Sequence, residues 1–156
     1  MRPTHPKAIW ARDVIRGVKS FVELENRIAA LSLEKDRGEA FEVFVEAFLA
    51  TQPIAQAETI WASDSAPVAI RQRLNLPSSD FGADGIYRDR NGNLVVYQVK
   101  FRTDRTSLSW RDLATFFGIA EKADQRVLLT NSDAIASVAE QRSDFHKSRL
   151  IIACSV

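Results

Sequence analysis

Residues 94–101, Leu-Val-Val-Tyr-Gln-Val-Lys-Phe, decide how this chain folds. Strand alternation puts Leu94, Val96, Gln98 and Lys100 on one face and Val95, Tyr97, Val99 and Phe101 on the other. The second face is wholly apolar or aromatic and the first begins apolar. A strand with two such faces is central in its sheet and needs helices over both sides. Gln98 and Lys100 end the first face with a carboxamide and an ammonium, and polar groups at the end of a buried strand require partners.

The partner is sought in the preceding segment. Residues 82–89 read as a strand, Arg90-Asn91-Gly92 as a turn, and Asp84 is the one acidic residue between Phe81 and Arg88. A three-residue turn with Gly92 in the left-handed conformation pairs Asp89 with Asn93. Carried back along the hairpin, that register sets Asp84 across from Gln98 on the same face, with Cβ atoms roughly 4.5–5.5 Å apart. A two-residue Asn91-Gly92 turn would instead set Asp84 opposite Val99, facing away from Gln98 unless a bulge near Gly82 or Gly85 restored the alignment.

In the first register Asp84, Gln98 and the Val99 carbonyl form an all-oxygen ligand set, which suits Mg²⁺ or Mn²⁺ and not zinc. Lys100 would orient the attacking water or offset charge in the transition state, and together these parts carry out phosphodiester hydrolysis. The competing reading is structural: Gln98 and Lys100 as a buried polar pair with no chemistry.

Working outward, apolar residues from Val14 to Leu31 recur at three- and four-residue intervals, giving one long helix or two joined helices over residues 10–33. After Gly38, the stripe Phe41, Phe44, Val45, Phe48, Leu49 specifies a helix that stops before Pro53. Glu39, Glu42 and Glu46 fall on one flank of it, either a solvated acidic face or a row aimed at a site. A short strand is expected over 56–62 and a helical turn over 66–74. A helix over 110–123 with Ser109 as N-cap, strands over 125–130 and 150–153, and a helix over 134–141 complete the pattern. The expected fold is an α/β three-layer sandwich, a central mixed sheet flanked by helices.

The chain has 156 residues, 46% of them hydrophobic, enough for one compact domain with its own core. Twenty-one Lys and Arg against twenty Asp and Glu leave a net charge of +1, so an overall basic coat for nucleic acid is excluded and any such contact must be local. Cys154 stands alone in an apolar stretch, which excludes an internal disulfide and reads as an inert core thiol. Residues 1–6 carry no apolar run of a signal peptide, and none elsewhere approaches the roughly 18 residues of a membrane span. A soluble, cytoplasmic protein is expected. The apolar end, Ile151 to Val156, reads as a boundary inside a longer polypeptide.

Asp84-Gly85-Ile86, followed after the hairpin by Tyr97-Gln98-Val99-Lys100, resembles the D-x(n)-(D/E/Q)-x-K signature of PD-(D/E)xK, restriction-endonuclease-like nucleases. The glutamine resembles the variant found in Mrr-type restriction enzymes and in nuclease domains at the N-terminus of large helicases. Gly38-Glu39-Ala40-Phe41-Glu42 resembles that group's G-x-x-F-E helix, and Asp80-Phe81-Gly82-Ala83-Asp84-Gly85 its D-x-G-x-D-G run. Leu128-Leu129-Thr130-Asn131-Ser132 resembles the strand after the covering helix. The likeness spans roughly residues 35–145.

It implies a Mg²⁺- or Mn²⁺-dependent DNA endonuclease with Glu42, Asp84, Gln98 and Lys100 as its site, and Asp84, Gln98, Val99 and Glu42 as metal ligands. Residues 1–34 would be an N-terminal helical segment and 35–156 the nuclease domain, joined in some members to a C-terminal helicase or methyltransferase region. Gln98 in place of an acidic ligand removes one negative charge from the site, and Asp80 is either a loop cap or a neighbour of the ligands. Arg88, Arg102, Arg105 and Arg111 are candidate phosphate contacts, each equally readable as an ordinary surface residue. A homodimer would allow both strands to be cut. A catalytically silent DNA- or partner-binding module of the same fold is the alternative, and an unrelated α/β protein with a structural polar cluster is the third. His5, His146, Trp10, Trp61 and Trp110 are assigned no chemistry.

Overall fold

The computed structural model describes residues 8–62, 64–77, 82–135 and 148–152. The N-terminal periodicity resolves into two helices, α1 (Ala8–Ile15) and α2 (Phe21–Ala29). They separate at Gly17, whose φ of 69° is strained for any residue with a Cβ. Ser20 restarts the helix, its hydroxyl accepting from the Glu23 amide at 3.1 Å.

The third helix, α3 (Glu34–Thr51), starts a turn earlier than its apolar stripe suggests, so Gly38 lies inside it rather than before it. Leu33, at the N-cap, gives no side-chain cap. Arg37 braces the turn instead, donating to the Leu31 carbonyl at 2.8 Å and the Ser32 carbonyl at 3.2 Å. Pro53 ends the helix as expected and opens a single 3-10 turn, Pro53–Ala55.

Five strands follow in sheet order: β1 (Ala57–Ala62), β2 (Gly85–Asp89), β3 (Leu94–Lys100), β4 (Gln125–Thr130) and β5 (Ser148–Ile152). β1, β2 and β3 are antiparallel neighbours, while β3, β4 and β5 run parallel. Helices α4 (Val68–Arg73) and α5 (Trp110–Ile119) complete the described elements. Val95, Tyr97 and Val99 pack under α1, α2 and α3 with Ala11, Ile28 and Phe41. Leu94 and Val96 pack on the other side with Ile70 of α4 and Phe116 of α5. The result is the three-layer α/β sandwich with a mixed sheet that the two apolar faces of β3 demand.

α5 stops at Ile119, short of the expected Ala123. Asp124 is fixed to the start of β3, its N–H donating to the Leu94 carbonyl at 3.0 Å and its carboxylate accepting the Leu94 N–H at 2.8 Å, so the chain must turn before it. The helix expected over 134–141 lies outside the described residues from 136 on, as do Asp80, Cys154, His5 and His146.

The hairpin adopts the longer of the two turns. Asp89 N–H donates to the Asn93 carbonyl at 3.0 Å, Gly92 takes φ of 82°, and Gly85 pairs with Tyr97 while Arg88 pairs with Leu94. The Asp89 carboxylate closes the turn, accepting from the Asn91 and Asn93 amides and the Asn93 side chain, each at 2.9 Å. Burial pushes this carboxyl up, but the hydrogen bonds from Asn93, Asn91 and Gly92 outweigh it and hold its pKa below the ordinary carboxylate range.

A folded-state pKa below the unfolded one contributes stability that is present above the unfolded value, near 4, and lost as pH falls through the folded value. We therefore expect Asp89→Asn to lose about 1–2 kcal/mol at pH 7, with the gap to wild type closing below about pH 4. Urea unfolding across pH checks this, and a gap independent of pH would refute it.

Glycines supply a second pair of expectations. A Cβ at Gly85 would stand 2.3 Å from the Tyr97 ring and hydroxyl, whereas one at Gly38 meets nothing within 4 Å. Gly85→Ala should destabilise by about 1–3 kcal/mol, and Gly38→Ala should stabilise by about 0.5–1 kcal/mol by removing backbone entropy from a helix interior. Denaturant midpoints shifting in the same direction for both would contradict the packing described.

Candidate active site

The site is built where β2 leaves the sheet before β3 ends. Asp84 precedes the first residue of β2, and its N–H donates to the Tyr97 carbonyl at 3.0 Å. Its carboxylate Oδ2 accepts the Val99 N–H at 2.6 Å. The side chain thus takes the place of the next ladder rung, satisfying an amide that a longer β2 would have bound.

α3 supplies the facing wall. The flank carrying Glu39, Glu42 and Glu46 is not a solvated face, since Glu46 is buried and the other two are half-buried. Glu39 and Glu42 line an open pocket of about 650 Å³ with Asp84, Val99 and Lys100. Further residues of α3, among them Glu34, Lys35 and Arg37, Asp64 after β1, and the segment after β3, including Arg102 and Asp104, also line it.

Four of the residues proposed from sequence, Glu42, Asp84, Val99 and Lys100, therefore meet at one pocket. Six carboxylates (Glu34, Glu39, Glu42, Asp64, Asp84, Asp104) and four cations (Lys35, Arg37, Lys100, Arg102) line it. Two of the cations already serve the fold: Arg37 donates to Thr103 Oγ1 at 3.0 Å, and Arg102 to Asp112 Oδ1 at 2.7 Å. The field is felt by Tyr97, whose phenol is driven far above its ordinary pKa, first by burial and then by the charges of Glu46, Asp84 and Glu42.

Gln98 is not brought to the pocket. The β2–β3 ladder ends at Gly85 and Tyr97, one pair short of setting it opposite Asp84, and its Nε2 donates to the Gly82 carbonyl at 2.7 Å, while Oε1 is buried without a hydrogen-bond partner. The opposite amide orientation would press two carbonyl oxygens together, so the assignment follows from the contact. The divergence arises at Asp84, whose carboxylate swings into line with Val99 instead of standing over the face that Gln98 occupies.

The arginines divide similarly. Arg102 and Arg105 are held by carboxylates, Asp112 and Glu25. Arg111 is exposed on the first turn of α5. Arg88, exposed, lies over the Trp61 ring at 5.7 Å and pairs with Leu94, at the end of β3 remote from Lys100. Asp64 and Asp104 were not singled out from sequence, because nothing in their local pattern separates them from ordinary loop acids. Lys35 could have been found, being four and seven residues before Glu39 and Glu42 on the same helical flank.

Among the described residues no group of three His, Cys, Asp or Glu side chains is set to hold a metal ion. Of the ligands expected from sequence, the pocket holds two carboxylates, Glu42 and Asp84, and Val99 with its backbone carbonyl, an all-oxygen set that fits a hard cation keeping several waters rather than a closed cage.

With its mixed sheet packed between helical layers, the chain has the α/β architecture of part of a restriction enzyme. A solved structure described as "ATP-dependent Type ISP restriction-modification enzyme LlaBIII bound to DNA" matches 86% of this chain at a TM-score of 0.62 and 20% identity. This chain spans 8% of that protein's length, and at such identity the likeness is one of fold. No family model matches the sequence, and no curated protein does. No helix among the described residues is long and apolar enough to cross a membrane.

Losing the Asp84 carboxylate should expose a structural role separate from any chemistry. With chelator present, Asp84→Ala strands the Val99 amide and should cost about 1–3 kcal/mol in urea unfolding, whereas Asp84→Asn keeps an acceptor there and should cost less. Equal losses would show that the Asp84–Val99 bond carries no weight.

Proposed function

We propose that this chain is a metal-dependent DNA endonuclease domain, hydrolysing phosphodiester bonds with Mg²⁺ or Mn²⁺ as part of a larger restriction or helicase polypeptide. The observation that carries this reading is the convergence of Glu42, Asp84, Val99 and Lys100 on one open pocket. Its excess of carboxylates would repel a phosphodiester unless a cation lay between them. Similarity in fold to part of a restriction-modification enzyme supports the same reading.

Asp84, Glu42 and the Val99 carbonyl would hold the cation, with water in the remaining positions. When bound, it would lower the pKa of a coordinated water and offset charge on the phosphate. Lys100, the one pocket cation on β3, would orient the water and donate to phosphate oxygens as charge develops. Asp84 cannot drift while its other task is to accept the Val99 amide. Gln98 would contribute only by releasing Gly82, and its unpartnered Oε1 is the atom available. Exposed Arg111 would bind the DNA backbone, and Arg102 and Arg105 only with atoms their carboxylate partners leave over. The domain would act on DNA as a homodimer or beside a C-terminal helicase or methyltransferase region.

A second reading, a catalytically silent DNA- or partner-binding module, is favoured by Gln98, which is bound to the Gly82 carbonyl and does not line the pocket. Plasmid cleavage separates the two. With Mg²⁺ or Mn²⁺ we expect nicking that EDTA abolishes, and a fall of roughly 10²-fold or more for Lys100→Ala and Asp84→Asn. Cleavage that survives both substitutions sinks the site. DNA binding without any cleavage by wild type favours the silent module.

A further inference from the structure

Among the described residues, 101–106 belong to no strand, yet most of them line the pocket. The segment is held instead by a closed set of polar side chains. Asn131, 1% exposed just beyond β4, stands beside the Arg102 backbone like one more strand residue. Its Oδ1 accepts the Arg102 N–H at 2.7 Å and its Nδ2 donates to the Arg102 carbonyl at 2.7 Å. The other Nδ2 hydrogen goes to Glu25 Oε1 at 3.0 Å. Glu25, on α2 and 9% exposed, also takes a two-pronged contact from Arg105, with Nε donating to Oε1 at 2.9 Å and Nη2 to Oε2.

Arg105 has a φ of 51°, a conformation that a residue with a side chain adopts only when its surroundings impose it. Its N–H donates to the Arg102 carbonyl at 3.2 Å and its carbonyl accepts the Asp133 N–H at 3.3 Å. Asn131 has every amide hydrogen used, so the cluster is satisfied and rigid rather than a set of surface ion pairs.

We infer that Glu25, Asn131 and Arg105 are positioning residues for the proposed cleavage: they extend the β3–β4 pairing past Lys100 and thereby fix the 101–106 wall, the Lys100 ammonium and the Val99 carbonyl. Their reach is long in sequence, since Glu25 precedes the pocket-lining part of α3 and contacts a loop 80 positions later. This inference rests on the nuclease reading of the pocket.

Asn131→Ala removes the strand mimic, and Glu25→Gln keeps shape and acceptor while removing the charge, so the second serves should the first not fold. Plasmid cleavage is measured with Mg²⁺ at a temperature where urea unfolding shows each variant fully folded, together with amide exchange over residues 102–106. The expected result is a kcat lower by roughly 10- to 100-fold, the range found when partners that orient ligating groups are removed. KM for DNA should stay within about twofold and exchange over the wall should speed up, a pattern that simple loss of stability does not produce. Folded variants with wild-type kcat overturn the positioning role while leaving the nuclease reading intact. Absence of cleavage by wild type overturns both.

Discussion

The 2.6 Å hydrogen bond from the Val99 amide to the Asp84 carboxylate joins the logic of the sheet to that of the pocket. A central strand must have its amides satisfied, and β2 stops one rung too early to do so for Val99. A carboxylate fills the gap, which places a negative charge at a fixed point on the sheet's end. The same pocket is lined by residues of α3, by Lys100 one residue beyond Val99, and by the segment after β3.

The chain's near-neutral total conceals how unevenly the charge is spread. Six carboxylates and four cations share the pocket, and two of those cations are engaged in holding the structure together. Within one partly buried pocket such an excess is felt locally and is not averaged away by the rest of the surface. Tyr97 registers it as a phenol that stays protonated, burial being the larger cause. Composition rules out a basic nucleic-acid coat, but it is silent about a pocket of the opposite sign.

Much of this is legible in the sequence. The two apolar faces of β3 demanded helices on both sides, whereas the hairpin register stayed open in the sequence between a three-residue and a two-residue turn, since Gly92 suits both, and only the Asp89–Asn93 pairing decides it. Pattern alone could also place Glu39 and Glu42 on one flank, though not tell a solvated row from a pocket wall. Faces are local consequences of periodicity, whereas the parts that sequence missed depend on distant chain. Asp64 reaches the pocket from the end of β1, and Glu25 reaches Arg105 across the sheet's end. Neither has a neighbour in sequence that announces it. The early start of α3 was hidden for a different reason, because Leu33 at its N-cap carries no side-chain acceptor for the first helical amides and so announces no start.

Gln98 shows why register is not enough to place a side chain. Opposite residues in a ladder share a face only while both strands keep their pleat, and at Asp84 the ladder has already given way to a side-chain bond. The carboxylate turns toward the strand edge and the carboxamide stays on the helix-covered face, 5% exposed. There a glutamate would set two oxygens against the Gly82 carbonyl, whereas glutamine carries a donor that binds it. That bond steadies the segment leading into Asp84, two residues later, so the neutral side chain at position 98 acts on the charged one at 84 through the backbone between Gly82 and Asp84. The cost is an amide oxygen with no partner in a buried setting, a strain that any group able to bind it would relieve.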